Sequence, residues 1–245
     1  MTTGLLLLHA FPMDASMWQP QIDGLGMSMP IIAPNLPGFG GTAPADDVTS
    51  MDAMADAAAN AVSAAGVDQV IVCGLSMGGY VALSFWRRHR ELVAGLVFAN
   101  TRAGADDEAG KGRRADLAER LRAEGSGFLV ASPPPLLSAN AAATLLDRAK
   151  QIIGAQSAEG IAAASLGMAE RPDSTALLAD IDVPVLVITS AGDTLIPPAA
   201  TEEMATVIPD AQFRIIEGAG HLSNLEAPDQ FNILLREFMS SRTEW

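Results

Sequence analysis

The fold of this chain is decided by one stretch, Gln69-Val70-Ile71-Val72-Cys73-Gly74-Leu75-Ser76-Met77-Gly78-Gly79. Residues 69–73 form an apolar run of strand length, and a helix is predicted over residues 76–88, so Ser76 falls on a sharp turn between the two. Glycines at 74 and 78 let the chain pass through such a turn, which holds the serine in a strained conformation with its hydroxyl exposed. The pentapeptide 74–78 is weak evidence by itself, and its meaning depends on the rest of the chain.

Apolar runs of strand length recur along the whole sequence. Besides 69–73 they cover residues 4–8, 30–33, 93–99, 183–189 and 212–216, and most of them lack polar alternation, as expected of strands buried on both faces. Between them lie helix-length segments at 17–25, 51–65, 76–88, 199–207 and 228–239. The alternation predicts an α/β fold with a doubly wound, mostly parallel sheet and a ligand crevice at the carboxyl ends of the strands.

Residues 104–171 interrupt this alternation. They are rich in alanine and show helical patterns at 113–123, 139–153 and 158–169, with no strand pattern. We expect a helical cap, or lid, inserted over the crevice into a core formed by residues 1–103 and 172–245. A peripheral extension that makes no contact with substrate is the alternative.

Composition and charge restrict the possible partners. The chain has 245 residues, of which 49% are hydrophobic and 18% charged, and we expect one large globular domain. A formal net charge of −14 disfavours nucleic acid and anionic membranes, and it slightly disfavours anionic substrates unless an arginine in the pocket reverses the local field. No run reaches the length of a membrane span, and the N-terminal residues lack a signal-peptide pattern, so we expect a cytoplasmic protein. The single cysteine, Cys73, is expected to be a small buried residue.

Three polar residues follow glycine-rich turns at the predicted crevice edge. A serine hydroxyl becomes a useful nucleophile only when a base takes its proton and an acid orients that base. His221 follows the last predicted strand in Glu217-Gly218-Ala219-Gly220-His221, and Asp193 follows the strand at 183–189 after Gly192. The chain order Ser76, Asp193, His221 is that of one known family of catalytic triads. We therefore predict Ser76 as nucleophile, His221 as general base and Asp193 as the orienting acid.

With two further loops added, the chain resembles the α/β-hydrolases. His9-Ala10-Phe11-Pro12 is similar to that family's oxyanion loop, and Asn35-Leu36-Pro37-Gly38-Phe39-Gly40 to the glycine-rich loop after the next strand. The resemblance implies that the backbone N–H groups of Phe11 and Met77 stabilise the oxyanion, and that His9 has a structural role. No room exists before Leu5 for the family's usual leading strand pair, so about six strands, all parallel, are expected.

Within that family, the elbow and the stretch after Gly220 resemble small bacterial carboxylesterases and 3-oxoadipate enol-lactonases. The resemblance implies hydrolysis of a small-molecule carboxylic ester, with a lactone as the alternative substrate. A carboxylate-bearing lactone would need a cation in the pocket, for which Arg102 is the nearest candidate. A ligand-binding receptor that keeps the triad without turnover is the alternative of a different class. Candidate metal ligands are scattered, and Gly38-x-Gly40-Gly41 lacks dinucleotide spacing, so no metal and no cofactor is expected.

Overall fold

The protein is built on one six-stranded sheet. The computed structural model describes residues 1–26 and 29–241. The strands are β1 (Thr3–Leu8), β2 (Ile31–Ile32), β3 (Gln69–Leu75), β4 (Val93–Ala99), β5 (Val185–Ser190) and β6 (Gln212–Ile216). They lie in the order β2-β1-β3-β4-β5-β6, and each neighbouring pair is parallel. The six-stranded parallel sheet predicted from the sequence is confirmed.

Helices occupy segments between the strands and after the last strand. They are α1 (Gln19–Gly24), α2 (Met51–Ala64), α3 (Met77–Arg88), α4 (Glu108–Glu124), α5 (Gly127–Ala131), α6 (Ala143–Ala155), α7 (Ala158–Ala169), α8 (Pro198–Val207), α9 (Ser223–Glu226) and α10 (Pro228–Ser240). The short helices α5 and α9 were not predicted. The helix predicted at 113–123 is longer in the structure: α4 begins at Glu108 because the Asp107 carboxylate accepts a hydrogen bond from the Gly110 N–H at 2.7 Å and caps the helix.

The central strands are buried on both faces, whereas the edge strand β6 is partly exposed. Leu5 and Leu6 of β1 are fully buried, although adjacent side chains of a strand point to opposite faces. On the edge strand β6, Ile215 is 48% exposed. Cys73 of β3 is fully buried, and that burial raises the pKa of its thiol well above the ordinary value. The cysteine is therefore a core residue, as the sequence predicted.

The segment of residues 104–171 runs between β4 and β5 and contains α4, α5, α6 and α7. It has no strand. Helix α4 packs against α7, and the hydroxyl of Ser165 on α7 donates a hydrogen bond to the backbone carbonyl of Arg114 on α4 at 3.0 Å. Across the described parts of the chain, every helix is too short or too polar to span a lipid bilayer.

Candidate active site

Ser76 lies on a strained turn at the carboxyl end of β3, directly before α3. Its backbone angles are φ 57° and ψ −115°, a left-handed region that non-glycine residues rarely adopt. The turn is held by a 2.9 Å hydrogen bond from the Ser76 N–H to the carbonyl of Ala99 at the end of β4. A Cβ at Gly74 would lie 2.1 Å from the Gly78 carbonyl oxygen, and a Cβ at Gly78 would lie 2.1 Å from that of Leu8. Both flanking positions therefore require glycine.

Asp193 and His221 form a buried pair. His221 Nδ1 lies 2.8 Å from Asp193 Oδ2, and only 2% of the His221 side chain is exposed. The other carboxylate oxygen accepts hydrogen bonds from the N–H groups of Leu195 at 2.9 Å and Ile196 at 3.0 Å. Burial by itself would raise the pKa of Asp193, but the hydrogen bonds it accepts, that from His221 above all, hold its pKa below the ordinary value. An ionised Asp193 fixes the proton on Nδ1 and leaves Nε2 as a base.

A cavity of about 370 Å³ brings the serine and the histidine together. Ser76, His221 and Phe11 line it, and so does Arg102, the cation suggested by the sequence. Within residues 1–26 and 29–241, no hydrogen bond joins the Ser76 hydroxyl to His221. In enzymes generally, the hydrogen bond between a nucleophile and its base is often long until substrate is in place. The predicted nucleophile and the predicted base therefore line the same cavity, and the predicted acid is bonded to the base from within the core.

The loop after β1 is fixed by a buried histidine. His9 Nδ1 lies 3.0 Å from the carbonyl oxygen of Ala10, and the Leu36 N–H donates to His9 Nε2 at 3.1 Å. Burial lowers the pKa of His9 to about 4, so the ring is neutral at pH 7, with one nitrogen as donor and the other as acceptor. This side chain joins the Phe11 loop to the loop at Leu36 and does not line the cavity.

The two predicted oxyanion donors occupy different surroundings. Phe11 lines the cavity, whereas the side chain of Met77 is fully buried. Met77 is the first residue of α3, so its N–H has no acceptor within the helix. Neither the Phe11 N–H nor the Met77 N–H has a hydrogen-bond partner in the described part of the chain. Both groups thus remain available to an oxygen bound beside Ser76, at the positive end of the α3 dipole.

Asn100 is a site residue that the sequence reasoning missed. It follows β4 directly, is fully buried and has φ 47°. Its Nδ2 donates to Asp193 Oδ2 at 3.0 Å and to the Ser190 hydroxyl at 2.7 Å, and its Oδ1 accepts from the Ser223 hydroxyl at 2.6 Å. Asn100 therefore donates to Oδ2, the carboxylate oxygen that also faces His221, whereas the backbone donors bind Oδ1. Its position as a polar residue directly after a predicted central strand is the signal that could have identified it from the sequence.

A parallel sheet with a strained serine on the turn between a central strand and the following helix, beside a buried Asp–His pair, defines the class of α/β hydrolases. A family model described as "Alpha/beta hydrolase family" matches residues 5–232, and the chain belongs to that family.

Relatives and solved structures agree with this assignment. The chain is 30% identical to a pimeloyl-[acyl-carrier protein] methyl ester esterase of Aromatoleum aromaticum, over 95% of this chain and 96% of the relative. It is 28% identical to 3-oxoadipate enol-lactonase 1 of Acinetobacter baylyi, over 93% of this chain and 85% of the relative. Among solved structures, a malate-bound thermophilic esterase from Thermogutta terrifontis is 40% identical, with a TM-score of 0.93 over 98% of this chain and 91% of that one. The sequence-based resemblance to small esterases and enol-lactonases is confirmed.

Proposed function

We propose that this protein is a serine hydrolase that cleaves small carboxylic esters through an acyl-enzyme, with Ser76, His221 and Asp193 as its catalytic triad. The observation that carries the proposal is the buried 2.8 Å His221–Asp193 hydrogen bond in a site whose cavity is also lined by Ser76. The esterases among its relatives and structural neighbours support an ester as substrate.

In the proposed reaction the Ser76 hydroxyl attacks the ester carbonyl while His221 Nε2 takes its proton. The negative charge that develops on the carbonyl oxygen is stabilised by the N–H groups of Phe11 and Met77. His221 then gives the proton to the departing alcohol, and an acyl group remains on Ser76. Water, activated by the same imidazole, releases the acid. Throughout, Asp193 keeps His221 in the correct tautomer and stabilises the imidazolium.

We further propose that residues 104–171 act as a cap over this site, inserted into a core formed by the flanking parts of the chain. Its support is the cavity wall, to which this segment contributes Gly110 and Arg113 from α4, Pro134 and Leu136 from the stretch after α5, and Met168 from α7. A cap that forms part of the wall would determine which acyl groups fit, because specificity follows from the shape and polarity of the pocket.

The proposal is tested with Ser76→Ala and His221→Ala on p-nitrophenyl butyrate. Either substitution should lower kcat by about 10⁴- to 10⁶-fold, leaving what binding and the oxyanion donors supply. Ser63→Ala, which changes an exposed serine on α2, is the matched control and should keep full activity. A fluorophosphonate probe should label the wild-type protein and Ser63→Ala but not Ser76→Ala. Full esterase activity in Ser76→Ala would refute the assignment.

Lactone hydrolysis is the second candidate. A lactone that bears a carboxylate would need a cation in the pocket, and Arg102 lies in the cavity wall. Identity to an enol-lactonase over most of the chain favours the same candidate. Measuring kcat/KM on matched esters and lactones decides between them, since both reactions use the same nucleophile. A receptor that keeps the triad without turnover would show negligible rates on every member of such a panel.

A further inference from the structure

We propose that the cavity selects esters or lactones whose acyl part carries a carboxylate, and that the guanidinium of Arg113 on α4 binds this carboxylate. The inference rests on the proposed ester hydrolysis and adds the chemical class of the substrate. It starts from a contrast in charge: the chain as a whole carries a net charge of −14, whereas the fixed charges in the cavity wall are mainly positive.

The charged residues of the cavity wall are three arginines and one aspartate. The arginines are Arg102, Arg113 and Arg114, and the aspartate is Asp106. A wall with two more positive than negative charges attracts anions over the short distances that matter inside a cavity, even though the distant surface is acidic. The local field therefore opposes the expectation, drawn from net charge, that anionic substrates are disfavoured.

The single carboxylate of the wall is already shared among several guanidinium groups. Asp106 is bonded to Arg102, to Arg114 at 2.5 Å and to Arg171 at 2.9 Å. Only 3% of the Asp106 side chain is exposed, and burial by itself would raise its pKa, but the hydrogen bonds and charges of Arg171 and Arg114 hold that pKa well below the ordinary value. Asp106 thus fixes three neighbouring arginines in place, and Arg113 is not among its partners.

Arg113 is the cation that remains without a partner. Within residues 1–26 and 29–241 its side chain makes no hydrogen bond, ion pair or ring contact, although it lines the same cavity as Ser76 and His221. Its neighbour in sequence, Arg114, is bound to Asp106 and stays in place. A free guanidinium offers two parallel N–H donors that match the two oxygens of a carboxylate, whereas a neutral ester end accepts only weaker hydrogen bonds that no charge assists.

The size of the cavity suits a short dicarboxylic monoester. About 370 Å³ lies near the lower end of the range for small-molecule sites. Leu136 and Met168 supply apolar wall that the carbon chain of such an ester can contact. The natural comparison is therefore between monomethyl glutarate, which has one free carboxylate, and dimethyl glutarate, which has the same chain and no charge.

The experiment measures kcat/KM for these two esters, per reacting ester group, by titrating the acid released at constant pH. We expect the wild-type protein to prefer the monoester, and we expect Arg113→Gln to lower the monoester-to-diester ratio about tenfold, as for the loss of one charge-assisted hydrogen bond. Lys111→Gln is the matched control. It removes one positive charge from the same helix, but Lys111 pairs with Glu108 outside the Ser76 cavity, so the ratio should not change.

Added NaCl provides a second readout, because screening weakens a carboxylate–guanidinium pair more than contacts to a neutral ester. The wild-type ratio should fall with salt, and in Arg113→Gln it should depend on salt much less. An unchanged ratio in Arg113→Gln, or an equal loss in Lys111→Gln, would overturn the role of Arg113. A wild-type preference for the diester would overturn the selection of anionic substrates. If neither ester is cleaved, nor p-nitrophenyl butyrate, the proposed function itself fails and this inference falls with it.

Discussion

Because the backbone at Ser76 is strained, we expect the Ser76→Gly variant to be more stable than the Ser76→Ala variant. Ser76→Ala keeps the Cβ and therefore keeps the unfavourable backbone at φ 57° and ψ −115°. Ser76→Gly removes the Cβ and releases a backbone cost of about 1–3 kcal/mol. Glycine also gains freedom in the unfolded chain, which costs about 0.5–1 kcal/mol. The difference leaves the glycine variant more stable than the alanine variant by about 1 kcal/mol.

For a chain of this length, about 1 kcal/mol corresponds to a rise in Tm of about 2–4 °C. Both variants lack the proposed nucleophile, so the comparison is free of any effect of turnover. Scanning calorimetry gives the two Tm values, and urea denaturation gives the two free energies of unfolding. The control is Ala115→Gly at an exposed position of α4, which should lower the stability of the protein by about 0.5–1 kcal/mol because glycine disfavours a regular helix.

Equal stability of Ser76→Gly and Ser76→Ala, with the expected loss in Ala115→Gly, would refute the reasoning. It would mean that the turn relaxes when the hydroxyl is removed and that the fold stores no strain at this position. A higher Tm for the glycine variant would instead show that part of the folding free energy is spent on presenting the serine hydroxyl, as found where local strain accompanies function.

Two further predictions concern buried polar contacts. Asn100→Ala removes one hydrogen bond to the Asp193 carboxylate, worth roughly 1.5–3 kcal/mol, and two neutral ones of about 1 kcal/mol each, so the free energy of unfolding in urea should fall by about 3.5–5 kcal/mol. In the same variant kcat should fall more than KM rises, because Asp193 loses a hydrogen bond that holds it and so orients His221, the proposed base, less well. An unchanged urea midpoint would contradict this role of Asn100. The pKa of Asp106 in the folded protein lies below its value of about 3.9 in the unfolded chain. Its ion pairs therefore stabilise the fold fully at neutral pH. This stability begins to decrease below about pH 5 and is lost progressively as the pH falls towards the folded-state pKa. Asp106→Asn should therefore be less stable than the wild-type protein at pH 7, and it should lose less stability than the wild-type protein between pH 5 and pH 3. Identical dependence of the urea midpoint on pH in the two proteins would contradict a stabilising role of these ion pairs.

Much of the fold could be read from local patterns. The apolar run at 93–99 coincides with β4, and the run at 212–216 coincides with β6. The helix predicted at 158–169 coincides with α7. These elements are set by nearest-neighbour chemistry: apolar runs of strand length, helical periodicity and turn residues at their ends. The boundaries that differed, such as the start of α4, depend on single capping contacts such as Asp107 with Gly110.

The sequence by itself determined the parallel sheet, the glycine-flanked turn at Ser76 and the order of the three polar residues around it. Only the tertiary structure decided which distant side chains meet there. Asn100 reaches Asp193, 93 positions later in the chain, because β4 and β5 are adjacent and parallel, so that their carboxyl ends lie side by side. Likewise, the ion pairs of Asp106 leave Arg113 free in the cavity wall. Pairing between residues far apart in sequence depends on how the elements pack, and no local pattern of residues encodes it.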